Sequence, residues 1–144
     1  MPDARYNNAQ VAKFINYLMR KGKKSVAQKV LYGAFTAIEK EKKTNPLEIF
    51  DRAIKNVSPV LEVKSKRVGG ANYQVPREVN PQRRLALGMR WIIEAAEGTK
   101  GKPMNESLLA ELKAAIKNEG SAVTKKETTH RMAEANKAFA HFAW

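Results

Sequence analysis

The sequence predicts a mainly α fold: a bundle of about six helices with a two-stranded β-hairpin protruding between the third and the fourth. Three observations carry the prediction. Apolar residues recur at helical spacing in six separate segments, the pattern that lines one face of a helix. Two Asn-Pro pairs, Asn45-Pro46 and Asn80-Pro81, stand where helices begin. A Gly69-Gly70 pair separates two runs of strand-type residues, and such a pair supplies the positive φ angles of a tight hairpin turn.

Taken in order, Val11, Phe14, Ile15, Leu18 and Met19 give the first helix its apolar face from Asn8 onward. It stops at "RKGKK", where Gly22 accepts the positive φ of a C-terminal cap. The second runs from about Ser25 with Ala27, Val30, Leu31, Ala34 and Ile38 inward, and ends in the charged "EKEKKTN"; so short a connection sets the two antiparallel. Asn45, Pro46 and Glu48 open the third, an N-cap followed by proline and then by a carboxylate near the positive end of the helix dipole. Leu47, Phe50, Ile54 and Val57 are its stripe, and Pro59 ends it.

Strand-type residues then flank the turn in "LEVKSKR" and "NYQVPREV". Pro76 fits a ribbon in which each strand has a free edge. Six residues at about 3.3 Å each make an arm of about 20 Å, and an isolated ribbon is marginal in water, so this one is expected to lean on a neighbour. The fourth helix opens at Asn80-Pro81 with Leu85, Met89, Ile92 and Ala96 inward and Trp91 in the core. Beyond Pro103, Leu108, Leu112, Ala115 and Ile116 mark a fifth helix capped by Gly120. Met132, Ala135, Phe139 and Phe142 mark a sixth that carries on to the end of the sequence. No period of 20 to 50 residues repeats, so the expectation is one helical domain over residues 1–144, with the hairpin arm at about 61–79, rather than a solenoid.

Composition narrows the function. The chain carries 27 Lys and Arg against 14 Asp and Glu, a net charge of +13, an excess that costs self-repulsion and suits a polyanionic partner. There is no cysteine, which removes disulfides, thiolate metal sites and cysteine nucleophiles and suits a reducing cytosol. No apolar run approaches a bilayer span, and "MPDARYNNAQ" lacks the apolar core of a signal peptide. A soluble cytoplasmic protein with no membrane partner is expected.

No catalytic constellation emerges. His130 and His141, eleven apart on one expected helix, would stand about 16 Å from each other, too far to share a metal. "RKGKKS" fails as a phosphate loop because the position five before Gly22 is Tyr17, inside a helix, and "GTKGKP" fails because Pro103 replaces the hydroxyl. Glu94 and Glu97 share a face that reads as solvated. Neither a catalytic residue, nor a metal, nor a cofactor is expected.

Three basic clusters remain. Arg5, Lys13, Arg20, Lys21, Lys23, Lys24 and Lys29 oppose Asp3 alone in the first 29 residues. In "KSKRVGGANYQVPREVNPQRR", Lys64, Lys66, Arg67, Arg77, Arg83 and Arg84 oppose only Glu78, and "VTKKETTHRMAEANK" adds Lys125, Lys126, Arg131 and Lys137 against Glu127 and Glu134. A single such run is usually a solvated face, but three on one small domain point to a polyanion. DNA, an acidic membrane and folded RNA are all polyanions. Membrane binding calls for bulky apolar residues opposite the cations, and here those faces belong to the core. Charges on several surfaces together with a projecting element suit shape readout of RNA, with Tyr73 available to stack on bases.

The segments "VAKFINYLMRKGKKS", "PVLEVKSKRVGGANYQVP" and "THRMAEANKAFAHF" resemble, in order and over nearly the whole chain, the bacterial-type small-subunit ribosomal protein seven family. The resemblance implies a helical bundle with a β-ribbon, bound to the 3′ major domain of small-subunit ribosomal RNA, where the family helps nucleate assembly of the subunit head beside its neighbouring proteins. It also implies contact with exit-site tRNA and the mRNA exit path. Carried over, the family's basic RNA-facing motifs fall on Lys21, Lys23, Lys24, Lys64, Lys66 and Arg67 and continue to Arg83 and Arg84; Arg20 and Arg77 complete the expected rRNA-binding set. His130, Arg131 and Lys137 fall on the tRNA side, and Gly69 and Gly70 form the hairpin turn.

Against the family pattern, Arg77 stands where an apolar residue is common, and "FAHFAW" lacks an arginine often found before the tryptophan. Family members often begin with a basic arm and continue past the last helix, whereas this sequence runs from "MPDARYNN" to Trp144, so the contacts of such an arm and tail are not carried over. The expected function is that of a structural ribosomal protein. The alternatives are a translational regulator that binds its own mRNA through the same surface and a basic architectural DNA-binding protein.

Overall fold

The computed structural model describes residues 2–3, 5–19, 22–99 and 101–142. Among these residues there are six α-helices, α1 (Ala9–Leu18), α2 (Lys24–Lys42), α3 (Pro46–Val57), α4 (Pro81–Glu97), α5 (Met104–Ile116) and α6 (Ser121–Ala135), with an antiparallel hairpin, β1 (Leu61–Val68) and β2 (Ala71–Glu78), between α3 and α4. A 3-10 segment, Lys137–Phe142, follows α6.

Asn45 and Asn80 cap helices as expected, and Asn8 does the same. The side chains of Asn8, Asn45 and Asn80 accept from backbone amides in the first turns of α1, α3 and α4, replacing partners that a helix start lacks. Gly22 sits at φ 72° after α1. Upstream, the Asp3 carboxylate gathers the amides of Arg5, Tyr6 and Asn8 at 2.8 to 3.1 Å and the Tyr32 hydroxyl at 3.0 Å. Burial raises its pKa, but these four donors prevail and hold it below the usual carboxylate value.

The core lies around α5, which packs against α2, α3 and α4 and contributes the fully buried Leu108, Leu112 and Ala115. An edge-on chain of rings, Tyr6 to Phe35 to Phe50 to Phe14, with centroids 5.2 to 5.4 Å apart, ties the N-terminal segment to α1, α2 and α3. Trp91 is buried as expected. Gly88 allows α4 to approach α3 closely: a Cβ there would meet Ser58 Oγ at 2.7 Å.

Three expectations are corrected. The left-handed residue after α5 is Asn118, at φ 57°, whereas Gly120, at φ 95°, is the N-cap of α6. The last helix does not run through to Phe142; it stops at Ala135 and tightens into the 3-10 segment. His130 and His141 therefore occupy different elements, and Met132, 46% exposed, lies outside the core. Pro76 stands, as expected, in a two-stranded ribbon where β2 keeps a free edge, and its side chain is buried.

Candidate nucleic-acid interface

The hairpin turn has the geometry expected of Gly69 and Gly70, with φ angles of 60° and 85°, both positive as a type I′ turn demands. This two-residue turn fixes the register, Glu62 opposite Arg77, Lys64 opposite Val75, Lys66 opposite Tyr73 and Arg67 opposite Asn72. Because side chains alternate along a strand, Lys64 and Lys66 share one face with Tyr73 and Arg77, and Arg67 is on the other. Burial fades from base to tip: Val75 and Pro76 are buried, while Arg67 and the turn glycines are exposed.

The neighbour that the ribbon leans on is the C-terminal part of the chain, α6 and the 3-10 segment. Tyr73 lies 5.0 Å, centroid to centroid, from both Phe139 and Phe142, and Lys66 Nζ donates to the Phe142 carbonyl at 3.1 Å. The Tyr73 ring, a candidate for base stacking, is thus engaged with two phenylalanines. Partial desolvation, then the positive charges of Lys64 and Arg77, hold the Lys66 ammonium below its ordinary pKa. Cations crowded in this way gain from an anion placed among them.

At the base of the ribbon the charges are arranged differently. Glu62 on β1 accepts from Arg77 on β2 at 2.8 Å and from Arg83 on α4 at 3.1 Å, with Arg83 Nη2 on the second carboxylate oxygen, also at 3.1 Å. Burial raises the Glu62 pKa, but the two guanidiniums override it and the net shift is downward. Arg77 and Arg83, both expected to face RNA, are thereby clasped to a carboxylate two residues before Lys64, where the basic cluster begins. Arg84 Nε donates to the Val79 carbonyl at 2.7 Å and braces the entry to α4.

Lys23 and Lys24 are exposed at the start of α2; Arg20 and Lys21 lie outside the described residues. In the third cluster, Lys125 pairs with Glu94 at 2.8 Å and Lys137 with Glu134 at 3.0 Å, while Arg131 is exposed. His130 has a structural partner: its Nε2 accepts from the Val60 amide at 3.1 Å, joining α6 to the root of β1. Burial, then the charge of Lys126, lowers its pKa, so the neutral acceptor form is favoured.

Sequence reasoning missed Glu62, although the turn length places it opposite Arg77. It also missed the acceptor role of His130, for which the sequence carries no signal, since Val60 lies seventy residues away. Among the described residues no group of three or more His, Cys, Asp or Glu is placed to hold a metal, and no helix is long and apolar enough to cross a membrane.

Comparison with known proteins returned consistent matches. The family model described as ribosomal protein S7p/S5e matches residues 1–137. A protein named small ribosomal subunit protein uS7 from Caldanaerobacter subterraneus subsp. tengcongensis is 58% identical over 144 residues, covering 100% of this chain and 92% of the relative. Proteins of the same name from Thermotoga neapolitana, 57% identical over 143 residues, and Francisella tularensis subsp. holarctica, 55% over 145, cover 99% and 100% of this chain and 92% of their own lengths.

Proposed function

The chain belongs to the ribosomal protein S7p/S5e family, and from that premise we propose that it binds the 3′ major domain of small-subunit ribosomal RNA through its ribbon and basic turns. Its role is structural rather than catalytic. In this reading it helps nucleate the subunit head among neighbouring head proteins, and its α6 side borders exit-site tRNA and the mRNA exit path.

The observation that carries the reading is the ribbon itself. It carries exposed Lys64 and Arg67 towards an exposed turn, while the face with Lys66 and Tyr73 is half-buried against the 3-10 segment and α6 packs on both strands. A projecting cationic arm that adds little to the helical core is costly to retain unless a phosphate backbone meets it. Exposed Lys23 and Lys24 extend the positive surface to the α1–α2 turn.

The test is charge reversal of Lys64, Lys66 and Arg67 to Glu. Helical circular dichroism should hold nearly constant and the melting temperature should fall by only a few degrees, since Lys64 and Arg67 are exposed, where substitutions usually cost under about 0.5 kcal/mol each, and Lys66 gives up its bond to the Phe142 carbonyl, a modest loss. Affinity for a transcript of the 3′ major domain should fall sharply, and the parent's log affinity should decline with log salt by about 0.7 to 0.9 per phosphate contacted. Parental affinity in the triple variant at the same salt would remove the ribbon from the interface.

A further inference from the structure

Between the α1–α2 turn and the α4–α5 loop lies a slot of about 400 Å³, within the range of about 300 to 1,000 Å³ that small ligands occupy. Its walls are apolar, supplied by Leu18, Val26, Val30 and Met104. Exposed Lys23 on one loop and exposed Lys102 on the other flank the mouth, with Glu97 beside them.

Ser107, on the first turn of α5, also lines the slot. It is only 3% exposed, and among the described residues its Oγ is the buried side-chain atom without a hydrogen-bond partner. A buried hydroxyl in that condition carries a desolvation cost that a ligand can relieve. Apolar walls, a polar group at depth and ammonium groups at the entrance describe a flat heterocycle attached to phosphates. An apolar side chain of a protein partner would use the walls but neither the hydroxyl nor the two lysines.

We propose that the slot receives one unstacked base of a bulged or single-stranded RNA nucleotide, its flanking phosphates between Lys23 and Lys102 and a polar base edge on Ser107 Oγ. Proteins that read RNA by sequence work chiefly on such splayed bases, and a positive channel for the backbone beside a site for the base is the usual arrangement. The proposal rests on the RNA-binding reading above and adds a site at which a particular nucleotide is selected.

The test compares the full chain with V26W and S107A, using the 3′ major domain transcript and a fully paired RNA duplex as probes. Val26 is 55% exposed, so tryptophan there fills the slot from outside without disturbing the core. V26W should bind the transcript about tenfold more weakly, the scale of losing one base contact, with duplex binding unchanged. S107A should weaken transcript binding several-fold while its melting temperature holds or rises. In the parent, the methyl resonances of Val30 and Met104 should move upfield on adding transcript and stay in place on adding duplex.

Parental transcript affinity in both variants would overturn the proposal. So would a V26W chain that binds transcript normally but fails to enter reconstituted subunits, since the occupant would then be a protein. A large loss of stability in S107A with unchanged RNA affinity would make Ser107 structural and overturn its assigned role. If the parent itself prefers neither probe, the RNA-binding reading fails first.

Discussion

Replacing Glu62 with Gln separates the two duties of the clasp at the base of the ribbon. The carboxylate is 12% exposed, whereas Arg77 and Arg83 are 41% and 44% exposed. Hydrogen bonds to charged groups contribute about 1.5 to 3 kcal/mol when sheltered, and exposed ion pairs about 0.2 to 1 kcal/mol. With half-exposed arginines and an amide that still accepts one bond, the loss should be about 1 to 2 kcal/mol, or a fall in melting temperature of about 3 to 8 °C for a chain of this size. The pH dependence should change with it. Because the folded Glu62 pKa lies below its ordinary 4.5, its contribution is complete above that value and is lost as pH falls through the folded one, a dependence that Gln cannot show.

RNA binding should move the other way. Removing one negative charge and loosening two guanidiniums should tighten binding to the transcript at low salt and steepen the salt slope by about 0.7 to 0.9 for each phosphate gained. Thermal unfolding by circular dichroism and filter binding across a salt series read the two effects independently. An unchanged melting temperature would refute the clasp as a joint between β1, β2 and α4. Weaker binding with a shallower slope would refute the claim that Glu62 withholds the arginines and would show that it aims them.

His130 should make stability sensitive to mildly acidic pH: its folded pKa is depressed below 6.5, so its bond to the Val60 amide is fully present above that value and lost as pH falls through the folded pKa, at a cost of about 1 kcal/mol. Unfolding curves between pH 7.5 and 5 should show this loss in the parent and not in His130→Gln. Gly88→Ala should destabilise by about 1 to 3 kcal/mol in a denaturant titration, since the new methyl meets Ser58 Oγ at 2.7 Å and the Ile54 carbonyl at 3.2 Å; an unchanged midpoint would show that α3 and α4 can separate without cost. Phe139→Ala with Phe142→Ala removes two ring contacts to Tyr73, each worth about 0.5 to 1.5 kcal/mol. Hydrogen exchange should quicken at ribbon amides and stay slow in α5; equal protection in parent and variant would mean that the ribbon holds its own shape.

The helical framework was legible because its signals are local. Asparagine caps, prolines at first turns and apolar residues every third or fourth position act within a few residues of where they stand. The ribbon was legible for the same reason, since Gly69-Gly70 fixes its own turn. The clasp was half legible: a two-residue turn pairs each residue with the one equally far beyond it, which puts Arg77 opposite Glu62, but the arrival of Arg83 from α4 depends on tertiary packing. The break after Ala135 was not legible, because Phe139 and Phe142 keep helical spacing with Met132 and Ala135, and only the surface of Tyr73 turns them elsewhere. Nor was the slot, whose walls come from four helices distant in sequence.

The prop under the ribbon has a consequence for synthesis. The hairpin ends at Glu78, whereas its brace, α6 and the 3-10 segment, spans Ser121 to Phe142, so at about 5 to 20 residues per second the roughly forty to sixty further residues take about 2 to 12 seconds to be added. During that interval the arm exists as a hairpin without its buttress, and such a hairpin is marginal in water. A nascent chain can therefore settle its helices while the arm is still loose. The helical core and the arm thus mature in that order, the arm gaining its support only after the residues up to Phe142 have been made.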